Sequence, residues 1–490
     1  METSFEYVEN LSIPSDEFSI ILEDAVDWAH AYGLVLRTPD HKDRSDHCQT
    51  APFALFPSPF PRALFQQAMD VQKAMNLLYF RLSWDIPFLV QCHEKVIETD
   101  EFTRRLVDIL VKVQNDGIKQ NITLLTQRAD YMCHIADSKE LQLKQIEVNN
   151  IAVSMGGLAQ RATKFHQRIL SKMDYSRESI LNVVPENYPI RTLVNGIFQA
   201  WKKFNDPNAV VLVVVENTNQ NQIDQKSVEF GLEEVSDYQI KCVRLTLTQS
   251  ADRLSLLGND FSLWIDGNKH KVAIVYFRAG YEPSSYPTER EWQARLLMER
   301  SNAIKCPWIG LQLANTKKIQ QVLDKSDMVE RYFPAETDNH LVSNIRATFA
   351  GLWGLEDDDE ETRRVLDDAI DNPGKYVLKP QLEGGAGNYY DREISEKLKE
   401  FSPQQRAAHI LMQKITPLTV KNYLIRPFHD AQLANVVSEL GVYGCLVGDG
   451  KDMSVDFNET HGHILRSKSE GVNLGGVAVG AAVIDTPFLV

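Results

Sequence analysis

Tyr376-Val-Leu-Lys-Pro-Gln-Leu-Glu-Gly-Gly-Ala-Gly-Asn-Tyr-Tyr390 decides more about this chain than any other stretch. An apolar strand ends in Lys379, the carboxylate Glu383 follows, and Gly384, Gly385, Ala386 and Gly387 are too small to pack against anything. Small residues let backbone N–H groups come close to a polyanion, which bulky side chains would prevent. Lys379 then offers a positive charge to phosphate oxygens, and Glu383 a hard oxygen ligand for the Mg²⁺ that accompanies a nucleotide. From the loop alone, a glycine-rich hairpin with a charged rim reads equally well. The spacing G-x-x-x-x-G-K-[ST] is absent, as is G-x-G-x-x-G opening a helix, which sets aside a P-loop and a dinucleotide fold. What remains is strand, lysine, carboxylate, flexible lid, strand: a loop that closes over ATP phosphates.

The first 120 residues read as helices. Phe102, Leu106, Ile109, Leu110 and Val113 recur at helical spacing. Phe56-Pro57-Ser58-Pro59-Phe60-Pro61 reads as a rigid connector into a helix beginning near Arg62. From about Leu141 short strands take over. Ala209–Val215 is apolar and β-branched, as in a strand buried on both faces. A helix over Ile223–Glu234 and a strand alternating through Ile240, Cys242, Val243, Leu245 and Leu247 complete a right-handed parallel unit. Phe261–Ile265 and Val272–Phe277, joined at Asp266-Gly267-Asn268, predict a hairpin. Residues 205–315 thus form an inserted α/β domain, and an amphipathic helix is expected over Glu289–Ala303 with Trp292, Leu296 and Leu297 on one side. The acidic run Glu356–Glu361 reads as solvated surface, and Gly471–Ala482 has the composition of a loop that lies close to something.

Bulk properties exclude several classes. In 490 residues, 43% hydrophobic and 24% charged, there is room for two or three ordinary globular domains. Acidic residues outnumber basic ones, 67 to 52, and the net charge of −15 disfavours nucleic acid and anionic membrane as partners. No apolar run approaches a membrane span, and the start Met-Glu-Thr-Ser-Phe-Glu is unlike a leader. Cys48, Cys92, Cys133, Cys242, Cys306 and Cys445 lack paired spacing and read as reduced thiols, so the expected location is cytoplasmic. His461-x-His463 and His47-Cys48 are the only close metal-ligand groupings, and neither has zinc spacing.

Several segments, in order, are similar to one family, the eukaryotic glutathione synthetases. They are Gln145-Ile-Glu-Val-Asn-Asn-Ile-Ala-Val-Ser-Met-Gly-Gly-Leu158, Tyr276-Phe-Arg-Ala-Gly-Tyr281, Glu299-Arg-Ser-Asn-Ala-Ile-Lys-Cys-Pro307 and Gln312-Leu-Ala-Asn-Thr-Lys-Lys318. The Lys379 segment, Ile410–Lys414, Ser438-Glu-Leu-Gly441, Leu465-Arg-Ser-Lys468 and Gly475-Gly-Val-Ala478 complete the set. The resemblance runs from about Ala51 to Val490. It implies a mixed α/β (α+β) fold: a circularly permuted ATP-grasp with a helical N-terminal region, an inserted parallel-sheet substrate domain and a glycine-rich lid. The implied division is a helical part over 1–120, the start of the catalytic core with a Mg-binding strand over 121–204, the substrate domain over 205–315, and an ATP-binding core over 316–490. That last part contains the lid, about 340–415, and the C-terminal Gly/Ala-rich loop.

The implied activity is ligation of γ-glutamylcysteine to glycine with ATP and Mg²⁺, in a homodimer. By resemblance Glu147, Asn149 and Glu383 hold Mg²⁺. Glu147 and Asn149 alternate by two, so they share one strand face; from spacing alone, an exposed face and a metal face both fit. The implied catalytic residues are Arg128, Lys379 and Arg466. Around ATP the resemblance places Glu147, Lys317, Lys379, Pro380, Gln381, Leu382, Glu383, Gly384, Gly385, Ala386, Gly387, Asn388 and Tyr390. It adds Met412, Gln413, Lys414, Ile415, Glu439, Lys468 and Leu474. For the peptide and glycine it implies Arg128, Ile151, Ala152, Val153, Ser154, Asn219, Gln220, Asn221, Gln225, Arg278, Ala279, Gly280, Tyr281, Arg466, Val477 and Ala478. Arginines suit a substrate with carboxylates, which a guanidinium grips bidentately. Arg278 follows the apolar run Ile274–Phe277, at a strand end where α/β domains bind ligands.

Three features depart from the family. Asn219 stands near a position that is often acidic, Ser284-Ser285 holds about one extra residue, and Gly384-Gly385-Ala386-Gly387 replaces an asparagine-rich three-glycine loop. Two other readings stand beside the ligase: a related enzyme with alanine or serine as acceptor, and a silent glutathione- or nucleotide-binding protein. A protein kinase does not fit, since His-Arg-Asp and Asp-Phe-Gly are absent.

Overall fold

Two long antiparallel hairpins, Ile122–Ile135 with Leu141–Asn149 and Gln432–Asp449 with Ser454–Ser469, form the centre of the molecule. They lie side by side in a seven-stranded sheet ordered Thr419–Ile425, Phe53–Ala54, Val483–Asp485, Ser454–Ser469, Gln432–Asp449, Ile122–Ile135, Leu141–Asn149. Thr419–Ile425 also pairs with Gln432–Asp449, so that end closes on itself. The computed structural model describes residues 7–8, 11, 13–357, 359–381, 387–473, 476–477 and 480–490.

Register in this sheet sets the site. Asp130 lies opposite Glu147 on one side and Gly441 on the other. Arg128 lies opposite Asn149 and Tyr443, and Glu439 opposite Arg466. A slip of one residue would turn all of these side chains to the other face. One face packs on the helix Arg62–Ser83, whose Leu64, Phe65, Val71 and Leu78 join Leu125, Tyr131, Leu440 and Val442 in one core. On the other face Leu193 and Ile197 of the helix Pro189–Phe204 join Tyr443, Val447 and Ile464.

The helix at Arg62 begins where the proline-rich connector implies, but Ser58–Phe60 within that connector is a strand, parallel to Pro487–Leu489. The N-terminal region has the expected helices, among them Glu101–Asp116 with Leu106, Ile109, Leu110 and Val113 buried. Short strands at Val35–Arg37 and Cys48–Thr50 interrupt it. The first long strand of the main sheet starts at Ile122, ahead of the change expected near Leu141, because a strand buried on both faces with Gln127, Arg128 and Asp130 inside it matches neither an alternating nor an apolar pattern.

Val210–Val214 is wholly buried and parallel to both Cys242–Leu245 and His270–Phe277, in a six-stranded sheet. The alternation expected to continue to Leu247 stops at Leu245, because Thr246 caps the helix Leu247–Arg253 through a capping box with Gln249. Ser262–Ile265 and His270–Phe277 form the expected hairpin. The helix expected over Glu289–Ala303 ends at Arg300, and Ile304–Cys306 is a strand.

A four-stranded sheet, ordered Leu352–Gly354, His409–Gln413, Tyr376–Pro380, Tyr389–Tyr390, carries the opening stretch. It has its own small core of Leu355, Val365, Leu366, Ala369, Tyr376, Leu378, Ile394, Leu398 and Leu411. One residue of the acidic run is not on solvated surface: Glu356 forms an ion pair with buried Lys318, while exposed Asp359 caps the helix Glu360–Asp371 by accepting from Thr362 N at 2.7 Å.

Candidate active site

Asp130, 0% exposed, is the hub of one cluster. Arg128 Nε and Nη2 donate to its two oxygens at 2.6 and 2.7 Å. Arg466 Nη2 donates to Oδ2 at 3.0 Å and also to Glu439 across the hairpin. Asn149 Nδ2 donates to the same Oδ2 at 3.0 Å. Gly441 lies over this pair: a Cβ there would sit 2.5 Å from Asp130 Oδ1 and 2.9 Å from Arg128 Cδ, so only glycine fits. Sequence reading had found Arg128, Asn149, Glu439 and Arg466 but had missed Asp130; the signal available was its position two residues after Arg128.

Beside this hub, Lys317 at the first turn of the helix Lys317–Asp324 stands 3.8 Å from Glu147, and Lys379 Nζ donates to Ile146 O at 3.1 Å. Burial alone would raise the Glu147 carboxyl, but Lys317 and Lys379, with Arg466 and Arg128 beyond, outweigh it and hold the group below its usual range. Burial, with Lys317 adding to it, lowers the Lys379 ammonium to about 8. Burial also lowers Lys468, whose Nζ donates to Asn473 O at 3.2 Å, and raises Glu439 against the pull of Arg466. Glu147 is buried, so an exposed strand face is ruled out for it. Asn149 spends its amide N–H on Asp130, leaving its carbonyl oxygen as a ligand. An ionised carboxylate and an amide oxygen beside amines for phosphate are hard donors that fit Mg²⁺ with a triphosphate.

Ser154 is the hub of a second cluster. Arg278 Nη2 and Asn221 Nδ2 donate to its Oγ at 3.0 and 2.5 Å, and Tyr443 OH and Arg128 Nη1 to its carbonyl at 2.7 and 3.4 Å. Arg278 Nη1 donates to Val153 O at 2.5 Å. The loop is held by Asp224, which accepts from Met155, Gly157 and Leu158 N–H, and it contains two non-glycine residues at positive φ, Ala152 (52°) and Met155 (70°). Such backbone persists only where its surroundings enforce it. Ile151 packs with Val210, Leu212 and Val214. Among the described residues, Arg278 Nε, Asn221 Oδ1 and Arg466 Nε are buried without a hydrogen-bond partner, which marks a place built for polar ligands.

The remaining expected residues fall around these hubs. Glu216, which sequence reading missed, accepts from Tyr281 OH at 2.9 Å and from Asn219 Nδ2 at 2.6 Å, and Asn221 N donates to Asn219 Oδ1 at 2.7 Å. Gly280 (φ 98°) donates its N–H to Ser285 Oγ, and its carbonyl accepts from Gln312 Nε2 and Tyr286 OH. Ser285 therefore helps hold the Ala279–Tyr281 turn. Gln220 O accepts from Arg37 N, and Gln225 Oε1 from Arg244. On the four-stranded sheet Lys379 pairs with Ile410 and Val377 with Met412, Pro380 faces His409, and Gln381 Oε1 accepts from Lys318 N at 3.1 Å. Gln413 Oε1 accepts from Gly351 N, Lys414 Nζ bonds Asp391, and Ile415 is half-buried. Asn388 donates to Tyr390 OH at 3.4 Å, next to Gly387 at φ 72°. Val477 belongs to the apolar core with Leu158, Ala482 and Ile484. Leu382, Glu383, Gly384, Gly385, Ala386, Leu474 and Ala478 lie outside the described residues. A cavity of about 710 Å³ opens nearby between Trp28, Arg161, Ile190 and Phe230, but neither hub lines it, so the chemistry is not there.

A family model described as "Eukaryotic glutathione synthase, ATP binding domain" matches residues 15–489. The glutathione synthetase of Mus musculus is 40% identical over 480 residues, 97% of this chain and 98% of that one. The Homo sapiens glutathione synthetase is 40% identical over 469 residues, 96% of each chain. Among solved structures, a glutathione synthetase like-effector from Globodera pallida, in its apo form, superposes with a TM-score of 0.79 at 30% identity, covering 98% of this chain and 99% of that one.

Proposed function

The chain belongs to the eukaryotic glutathione synthetase family, and from that premise we propose how its two hydrogen-bonded hubs divide the work. It is an ATP-dependent ligase that makes glutathione from γ-glutamylcysteine and glycine. A carboxylate is a poor acylating agent, so the proposed route transfers the ATP γ-phosphate to the cysteinyl carboxylate. The glycine amine then attacks the acyl phosphate and phosphate leaves. The protein's share is positioning and charge neutralisation. Lys317, Lys379 and Lys468 take the phosphate oxygens, with Met412–Ile415 along the adenine and Tyr390 on the lid. Glu147 and Asn149, joined by Glu383, would hold Mg²⁺, which shields the triphosphate charge. Around Ser154, Arg278 and Asn221 orient the peptide, while Arg128 and Arg466 steady the carboxylate that is activated. Val477 and Ala478 narrow the acceptor pocket towards glycine.

The observation that carries this reading is Arg128, which bonds both hubs, Asp130 on the phosphate side and Ser154 on the peptide side. A group so placed suits the point where a carboxylate would meet a γ-phosphate. The circularly permuted ATP-grasp topology, the domain division given above and a homodimer in the cytoplasm are parts of the same proposal. Six free cysteines support a reducing compartment. No helix among the described residues is long and apolar enough to cross a membrane. ADP release with γ-glutamylcysteine tests the proposal, with glycine, alanine and serine compared as acceptors. Release that requires both peptide and glycine is expected; release independent of the amino acid would overturn the acceptor assignment.

A further inference from the structure

On the face of the main sheet opposite Asp130, the chain buries a row of amides that the proposed ligation does not use. Gln72 on the helix Arg62–Ser83, Gln127 on the strand Ile122–Ile135 and Asn150 just past Leu141–Asn149 are each 0% exposed. Gln127 points away from Arg128 and Asp130, because neighbouring residues of a strand face opposite sides. Gln72 Nε2 donates to Gln127 Oε1 and Gln127 Nε2 to Asn150 Oδ1, both at 2.8 Å. The row ends on another element, where Asn150 N donates to Asn315 Oδ1 at 2.5 Å. Asn150 directly follows Asn149, and Asn315 stands two residues before Lys317. One hydrogen bond therefore joins the strand of Glu147 and Asn149 to the helix of Lys317.

That helix end has a second anchor, of a different kind. Thr316 Oγ1 accepts from Ile319 N, capping Lys317–Asp324, and bonds His93 Nε2 at 2.8 Å. His93 Nδ1 bonds Leu89 O at 2.7 Å, and burial lowers the imidazole to about 4. The ring is therefore neutral, with Nδ1–H donating to Leu89 and Nε2 accepting from Thr316. Thr316 thus ties the helix to the helical scaffold at Ile86–His93, whereas Asn315 ties it to the site. The 3.8 Å between Lys317 and Glu147 depends on how far that helix stands from that strand, and the Asn315–Asn150 bond spans the same gap.

We propose that Asn315 is a positioning residue for the ligation: seated on the Asn150 N–H, it sets Lys317 against Glu147 and Asn149. Gln127 holds Asn150 in the orientation that donates. The assignment rests on the ligase reading above, in which Lys317 meets ATP, and adds two residues that act only through others.

The test is ADP release with γ-glutamylcysteine and glycine, measured well below the unfolding temperature of each variant. Asn315→Ala should raise the KM for ATP about tenfold, as for loss of one buried hydrogen bond. The KM for γ-glutamylcysteine should change by less than about twofold, since Asp224 still pins the Ser154 loop. Gln127→Met, similar in length but without a donor, should raise the KM for ATP about threefold alone and add nothing to Asn315→Ala. His93→Gln loosens the same helix from the scaffold side; it should lower the unfolding temperature and keep the KM for ATP within about twofold of wild type. An unchanged KM for ATP in Asn315→Ala, or equal rises for ATP and peptide, would overturn the proposal. So would additive effects of the Gln127 and Asn315 changes, or the same ATP shift from His93→Gln. Lys317→Gln separates the parent reading: if it keeps the wild-type KM for ATP, Lys317 does not meet the nucleotide and the site assignment itself fails.

Discussion

The proposed phosphate side and peptide side of this site are joined through Arg128 but held by different physics. Around Asp130 the partners are ionic, buried and set by strand register: Arg128, Arg466 and Glu439 face one another because two long hairpins pair as they do. Around Ser154 the partners are mostly single hydrogen bonds on a loop pinned by Asp224. A sheet places charge rigidly and tolerates no change, as the lack of room at Gly441 shows. A loop can be retuned, and Asn219 and Ser284-Ser285 both fall on that side.

The largest effect is expected at Asp130. Asp130→Asn keeps the shape and removes the charge, leaving two buried guanidinium groups under-compensated. Loss of one partner of such a network costs about 3–5 kcal/mol of stability. Turnover should fall by at least about 10³-fold, since Arg128 and Arg466 are then no longer held. ADP release and thermal unfolding measure both, and wild-type values in each would erase the distinction between the two sides. Next comes Lys379→Gln, which should lower kcat by about 10²–10³-fold with the fold intact by circular dichroism. The same change at half-buried Lys468 should cost less. If Lys468 proves the larger, the cation against Ile146 is not the one that meets the transferred phosphate.

A smaller effect is expected on the peptide side. Ser154→Ala removes the hydroxyl that accepts from Arg278 and Asn221, a loss of about 1–1.5 kcal/mol. The KM for γ-glutamylcysteine should rise about tenfold while that for ATP stays fixed. An equal rise in both would show that the sides are coupled beyond Arg128.

The same division explains what could be read before any coordinates. Val210–Val214, the hairpin into His270–Phe277 and Arg278 at its end were legible, because strand period and apolar runs carry local information. Asp130 was not: it sits in a strand buried on both faces, where polar residues break every simple pattern, and its partner Arg466 is set by a hairpin register that no short window contains. Glu356 was misread for a related reason, since a charged residue in an acidic run gives no hint that Lys318 waits in the interior. Glu216 directly follows the apolar run Ala209–Val215, and only its bonds to Tyr281 and Asn219 distinguish it.

The smallest predicted effect is a pH dependence that belongs to the phosphate side alone. Lys379, buried and beside Lys317, titrates at about 8 in the free enzyme. A bound triphosphate favours the protonated ammonium and raises that value. A group whose pKa rises on binding contributes affinity that is complete below its free value and lost as pH climbs through the bound one. ATP affinity should therefore be flat below about pH 7 and fall above about pH 8, by no more than about tenfold per unit, with one proton taken up on binding. Calorimetry in two buffers of different protonation enthalpy reads that proton directly. Lys379→Arg, which keeps its charge, should hold its affinity at alkaline pH. Lys379→Gln should bind weakly at every pH with no uptake. Should Lys379→Gln keep the wild-type profile, the proton belongs to Lys468, which burial also lowers, and the stronger cation of the pair would have to be reassigned.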